Sequence, residues 1–184
     1  MQMSTPRRAW LRVATSLVFA SILIVPPALA RDTTEPGSVP TDATAANVAV
    51  VKRFLTDVVN GGRFDLVDQL WAKDMVWHGA SLGEVRGIDA YRKGLEASVG
   101  GSFSKMRLDI KDVIASGDKV VVHFTNSGEN TGPFLGFPAT GKYSIWEGIG
   151  IYKVIGGKIA EAWFVEDILG QQQMLGHWPP QIMP

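Results

Sequence analysis

The chain has three histidines and no cysteine, so no cysteine nucleophile is possible, and the histidines and carboxylates are the groups to weigh for acid/base chemistry. Asp167 is the acid that stands out. Gly156-Gly157 is a two-residue turn signal that pairs Ile155 with Lys158. Carried along both strands, this register sets Trp146 opposite Asp167, Gly148 opposite Val165, Gly150 opposite Trp163 and Tyr152 opposite Glu161. Strand side chains alternate, so these residues share one face. The two glycines leave space beside Trp163, and the face reads as a pocket wall that includes Asp167. A carboxylate between tryptophans is poorly solvated, which disfavours its charge and strengthens it as a base. Asp is also a favoured N-cap, and a helix starting near Ile168 offers Asp167 that simpler role. The same register sets Glu147 against Glu166, an unfavourable pair unless solvent or a cation separates them.

His78 ends a short strand, Met75–His78. There it either donates a hydrogen bond to a developing enolate oxygen and shuttles a proton, or is a buried imidazole tied to a backbone carbonyl. His123 lies mid-strand, on the opposite face from Val122 and Phe124. His177 falls in a proline-rich tail and is expected to be exposed. Tyr143 and Trp146 either line a cavity mouth or fill it. His78, His123 and Asp167 have the types of a two-histidine, one-carboxylate metal site. Their spacing contains no local chelate motif, so no metal is expected. No Gly-x-Ser-x-Gly, Walker or dinucleotide fingerprint is present, and no organic cofactor is expected. The candidate site is therefore Asp167 and His78 for chemistry, with Trp163, Trp146, Tyr143, Glu161 and His123 against the ligand.

The elements that must hold these residues follow from hydrophobic spacing. Val48, Val51, Leu55 and Val58 recur at helical period, widened by Phe54 and Val59 and stopped by Gly61-Gly62. Phe64, Val67, Leu70 and Trp71 suggest a second, short helix. Ile88, Tyr91, Leu95 and Val99 mark a third, ended by Gly100-Gly101. The period then switches to two: Met106, Leu108, Ile110 and Ile114 alternate with Arg107, Asp109 and Lys111. Lys119–Thr125, Tyr143–Val154 and Lys158–Ile168 read as further strands. Helices followed by hairpin-linked strands predict an α+β fold, with helices on one face of an antiparallel sheet. The last hairpin is apolar on both faces, with Ile149, Ile151, Ala162 and Phe164 opposite the pocket wall. One face expects helices and the other a second subunit, which predicts a homodimer. The loop Gly132–Gly141 exposes apolar rings, as a structured connection, a lid or a dimer contact.

The chain has 184 residues with 18 basic and 18 acidic side chains. Residues 1–30 contain Arg7, Arg8 and Arg12 and no acid, so the remainder is net negative and makes no electrostatic case for nucleic acid. An apolar run, Val13–Val25, follows the arginines and ends in Pro26-Pro27 and Ala28-Leu29-Ala30. This is the pattern of a secretory signal cleaved after Ala30. Thirteen helical residues rise only about 20 Å, short of a ~30 Å hydrocarbon core. Pro6–Arg12 also resembles a twin-arginine export signal. Either route predicts a periplasmic or secreted protein without a membrane anchor after cleavage. Residues 31–43 read as a disordered leader, 44–176 as one folded domain and 177–184 as a tail.

Four segments occur in order: Asn60-Gly-Gly-Arg-Phe-Asp-Leu-Val-Asp68, Asp74-Met-Val-Trp-His78, Thr131–Gly141 and Gly157–Asp167. Together they resemble the SnoaL-like polyketide cyclases, or ester cyclases, of the nuclear-transport-factor-2-like superfamily, over about residues 46–176. The resemblance implies a cone-shaped α+β barrel with a deep apolar cavity. Glu161, Trp163 and Asp167 are similar to the family's Glu-x-Trp-x-x-x-Asp, whose last residue is the acid/base of the cyclases. The family's frequent Gly-Thr-His-Thr-Gly reads Gly128-Glu129-Asn130-Thr131-Gly132 in this chain. The implied activity is cofactor-independent proton removal from a small apolar carbonyl compound, with the enolate closing a ring by aldol condensation. Alternatives on the same cavity are a non-catalytic periplasmic binding protein for a hydrophobic ligand, and an isomerase, hydratase or dehydratase. Partner recognition through the convex sheet face is a further one.

Overall fold

The computed structural model describes residues 41–177. The expected export signal, the leader up to residue 40 and the tail from residue 178 lie outside the described residues. Helix α1 (Thr41–Arg53) begins slightly before the expected Thr44 and runs into a wider π-helical stretch, Phe54–Asn60. Its expected stripe is buried, Val51, Phe54, Leu55 and Val58 all facing the core. The chain turns away at Gly62, whose φ of +67° suits glycine. A 3₁₀ turn, Phe64–Leu66, leads into α2 (Val67–Leu70). Trp71, expected to close that helix, instead opens strand β1 (Trp71–His78) and is fully buried. Strand β2 (Glu84–Arg86) is too short to show a pattern and was not expected. Helix α3 (Ile88–Leu95) continues π-helically over Glu96–Ser102. Strands β3 (Phe103–Ser116), β4 (Lys119–Asn130), β5 (Tyr143–Ile155) and β6 (Lys158–Glu166) follow, and then α4 (Ile168–Leu175).

The fold is α+β. One six-stranded sheet has the order β2-β1-β6-β5-β4-β3. Neighbours are antiparallel except β1 and β6, which are parallel. The sheet is therefore mixed where an antiparallel one was expected, and it is not closed: β2 and β3 are free edges. The core lies between the helices and one sheet face. Phe54 packs edge-on to Trp71 at 5.1 Å, and Trp71 lies 4.4 Å from Tyr91 between ring centroids.

Two one-residue shifts decide which side chains face that core. In β3, Ile110 pairs with Phe124 but Asp112 pairs with His123, leaving Lys111 extra. Val113 and Ala115 then turn inward, and Ile114, expected on the Leu108 face, is 64% exposed. In β6, Val154 pairs with Ile159 but Lys153 pairs with Glu161, leaving Ala160 extra. The hairpin starts as expected, with Ile155 opposite Lys158 and both turn glycines at positive φ. Beyond Ala160 every side chain of β6 faces the opposite way from the simple register.

Candidate functional site

The bulge at Ala160 replaces one carboxylate with its neighbour. Gly148 pairs with Glu166, Gly150 with Phe164 and Tyr152 with Ala162. Trp146, Gly148, Gly150 and Tyr152 do share the inner face, as the strand alternation requires, but their partners there are Phe164 and Glu166. The like-charge pair expected between Glu147 and Glu166 does not form, because the shift puts the two on opposite faces. That clash in the unshifted register is the signal in the sequence that could have revealed the bulge.

Between sheet and helices lies a cavity of about 260 Å³. Its wall is mostly apolar and aromatic: Phe54, Trp77, Phe103, Phe124, Phe164 and Trp146 contribute rings. Glu166 is the charged residue of the wall, and Tyr91, Ser98, Asn126 and Gln171 are its polar neutral ones. Trp146 Nε1 donates to Glu166 Oε2 at 2.6 Å, and Asn126 Nδ2 donates to the same oxygen at 3.1 Å. Among the described residues Glu166 Oε1 has no hydrogen-bond partner, and one oxygen of the carboxyl is left for a ligand. Burial pushes the Glu166 pKa above the 4.5 of a free glutamate, while the bonds from Trp146 and Asn126 pull less strongly the other way. Burial likewise holds Tyr91 well above the usual phenol value, helped by the Glu166 charge. At neutral pH it is therefore a hydrogen-bond donor.

Gly148 makes the arrangement possible. A Cβ there would lie 2.6 Å from Phe124 Cε2 and 2.8 Å from Glu166 Cγ. The expected open space at the glycines is thus occupied by the residues that build the site. A smaller pocket of about 130 Å³ adjoins, with Gly79, Ala80 and Val165 in its wall. It shares Leu82, Phe164, Glu166 and Ile168 with the main cavity.

The other expected site residues lie elsewhere. Asp167 is exposed, and its Oδ1 accepts the Gly170 N–H at 2.8 Å. It is the N-cap of α4, and its expected place inside the hollow is corrected. The physical cause is the extra residue in β6. Trp163 and Glu161, expected beside the pocket, face outward for the same reason. His78 is outward too: Glu161 Oε1 lies 3.0 Å from its Nε2 and Glu84 Oε2 2.9 Å from its Nδ1. Its ring stacks on Trp163 with centroids 5.3 Å apart. Both ring nitrogens are committed away from the cavity. Tyr143 is exposed, since it differs from Trp146 by an odd number of positions. His123, expected against the ligand, lies on the outer sheet face 3.9 Å from Glu147, because it alternates with the inward Val122 and Phe124. Of the expected set only Trp146 lines the cavity. His78, His123 and Asp167 are not brought together, and among the described residues no three His, Asp or Glu side chains form a group that could hold an ion. His177, expected to be exposed, is half-buried, stacked on Phe137 and within 2.9 Å of Gln172 Oε1.

The Gly132–Gly141 loop is tied down by Asn130, fully buried at the end of β4. Its Nδ2 donates to the carbonyls of Ser102 and Gly132 at 3.2 and 2.8 Å, and its Oδ1 accepts from Thr140 N at 2.9 Å. The loop is thus a structured connection, and it sends Phe134 into the cavity wall against Phe103.

The sequence profile described as SnoaL-like polyketide cyclase matches residues 49–175. No curated protein sequence matches the chain. Among solved structures, TsrD from Streptomyces laurentii is 27% identical with a TM-score of 0.65, covering 73% of this chain and 97% of its own. A Jannaschia sp. CCS1 protein named for the SnoaL-like polyketide cyclases is 22% identical with a TM-score of 0.69, covering 78% and 100%. An LEH-like epoxide hydrolase of M. tuberculosis is 18% identical with a TM-score of 0.60, covering 73% and 92%. The last two show a shared fold.

Proposed function

The chain belongs to the SnoaL-like polyketide cyclase family, and from that premise we propose that it performs acid/base chemistry on a small carbonyl compound held in the cavity. The observation that carries this reading is Glu166. It is a carboxyl in an apolar cavity, with one oxygen anchored by Trp146 and Asn126 and the other unbonded among the described residues. A base of raised pKa removes a proton flanked by carbonyl groups more readily than a solvated carboxylate. In this reading Tyr91, neutral and in the same wall, donates to the enolate oxygen. The enolate then attacks a second carbonyl of the same molecule and closes a ring. A cavity of about 260 Å³ lies just under the usual 300–1,000 Å³ of drug-sized sites, which favours a substrate of one or two rings. In this reading Glu166 takes the role the resemblance assigned to Asp167.

Two further parts of the proposal rest on narrower support. Export to the periplasm or beyond is supported by the sequence of residues 1–30 alone. A homodimer is supported by the outer sheet face, where Tyr143, Ile145, Ile149 and Val165 are all exposed.

The test uses benzoylacetone in heavy water, following exchange of its central C–H by proton NMR. The wild-type chain is expected to accelerate exchange saturably. Glu166→Gln should lose that acceleration by about 10²–10⁴-fold, the usual contribution of a positioned base. Asp167→Asn should keep it. Exchange by Glu166→Gln at the wild-type rate would refute the assignment.

A further inference from the structure

α4 turns an unusual set of side chains inward. Gln171, Gln172 and Leu175 are buried, and Gln171 is 0% exposed. Both amide atoms of Gln171, Nε2 and Oε1, lack a hydrogen-bond partner among the described residues. A buried amide left unpaired is costly, and natural folds retain few of them. Gln171 is also part of the cavity wall, as is Asn126, whose Oδ1 is similarly buried and unpaired. Glu166, Asn126 and Gln171 thus interrupt a largely hydrocarbon lining; Asn126 Nδ2 donates to Glu166 Oε2, but Asn126 Oδ1 and both amide atoms of Gln171 stay unpaired among the described residues.

The chemistry of these groups specifies what would satisfy them. A primary amide presents N–H donors and a carbonyl acceptor side by side on one carbon. Its complement is a ligand edge with one acceptor and one donor side by side. The terminal torsion of glutamine is broad, so the amide turns to meet such an edge at little cost. Among the described residues no Lys, Arg or His stands in the wall, and its one charged residue is Glu166. An anionic edge would meet a like charge in a poorly screened site. A cation could pair with Glu166 but has no acceptor to offer Gln171 Nε2.

We propose that Gln171 reads the polar end of the ligand, and that this end is uncharged with a hydrogen-bond donor and acceptor on neighbouring atoms. A lactam and a primary amide both have that pattern. The proposal rests on the reading of this cavity as the ligand site and narrows the substrate class for it.

The experiment compares three bicyclic probes on the full chain: 2-quinolone, which carries the lactam edge, naphthalene, which lacks it, and the 2-naphthoate anion. The wild-type chain is expected to bind 2-quinolone most tightly and 2-naphthoate least. Gln171→Leu, close in size and unable to hydrogen-bond, should weaken 2-quinolone by about ten- to a hundredfold, the range for two neutral hydrogen bonds. Naphthalene affinity should hold or rise. Gln171→Met serves as a second variant with the same expectation should the leucine variant not fold. An unchanged ratio of 2-quinolone to naphthalene affinity in the folded variant would overturn the proposal. So would wild-type binding of 2-naphthoate as tight as that of 2-quinolone, or no wild-type binding of any probe. Loss of proton exchange in Glu166→Gln with an unchanged ratio in Gln171→Leu would sink this inference and leave the acid/base reading standing. The reverse pattern would do the opposite.

Discussion

Replacing Gly148 by alanine tests the architecture of the site directly. Gly148 has no positive φ, so alanine meets no backbone strain and the effect is one of space. The added methyl would sit 2.6 Å from two atoms of the Phe124 ring and 2.8 Å from Glu166 Cγ. Ordinary contact begins near 3.4 Å, so ring and side chain must both retreat by more than half an ångström. Phe124 is 1% exposed and has Phe164 beside it at 6.3 Å between centroids, so its retreat displaces other core rings. Overpacking of this kind costs about 1–3 kcal/mol. Alanine recovers about 0.5–1 kcal/mol of backbone entropy that glycine loses in a strand. The net expectation is a destabilisation of roughly 0.5–2 kcal/mol, or about 2–8 °C in Tm for a domain of this size. Moving Glu166 should also weaken its bond to Trp146 and slow proton exchange. The control is Gly94→Ala in α3, where nothing lies within 4 Å of the new methyl. There the helix-propensity gain of about 1 kcal/mol acts alone and Tm should rise. Thermal melts read both. A Gly148→Ala chain as stable as wild type would refute the claim that this glycine makes room for Phe124 and Glu166.

Three other outcomes are expected. Glu166 has a higher pKa folded than unfolded, so the folded state holds the extra proton; stability is full below about 4.5 and falls as pH rises through the raised value. Urea denaturation across that window should show this fall in wild type, and in Glu166→Gln the slope should be reduced. Asn130→Ala removes four side-chain hydrogen bonds at a fully buried position. It should cost about 2–3 kcal/mol, with the largest rise in amide hydrogen exchange at Gly132–Gly141. Ile149→Lys places a charge on the outer face; if that face joins two copies, sedimentation should shift from dimer to monomer while Tm of the monomer is kept.

The helices and long strands were legible because their apolar residues repeat at the period of the element that buries them. Val51, Phe54, Leu55 and Val58 could hardly be anything but one helix face. The Gly156-Gly157 turn was equally plain, since two positive φ values in succession suit glycine. The three-residue β2 was not legible, being shorter than any period. Trp71 was misplaced because its spacing from Phe64 and Val67 fits a helix, whereas its partner Ile159 lies far away in sequence.

Sequence by itself determined the α+β class, because that depends on pattern summed over many residues, and four segments in order carried the resemblance to the family, which implied an apolar cavity. Which carboxylate enters that cavity was decided by tertiary structure. Asp167 and Glu166 are neighbours, and one extra residue at Ala160 exchanges them between the helix cap and the interior. Such a bulge forms where β6 must satisfy β5 on one side and β1 on the other, a demand made by strands distant in the chain and invisible to local alternation.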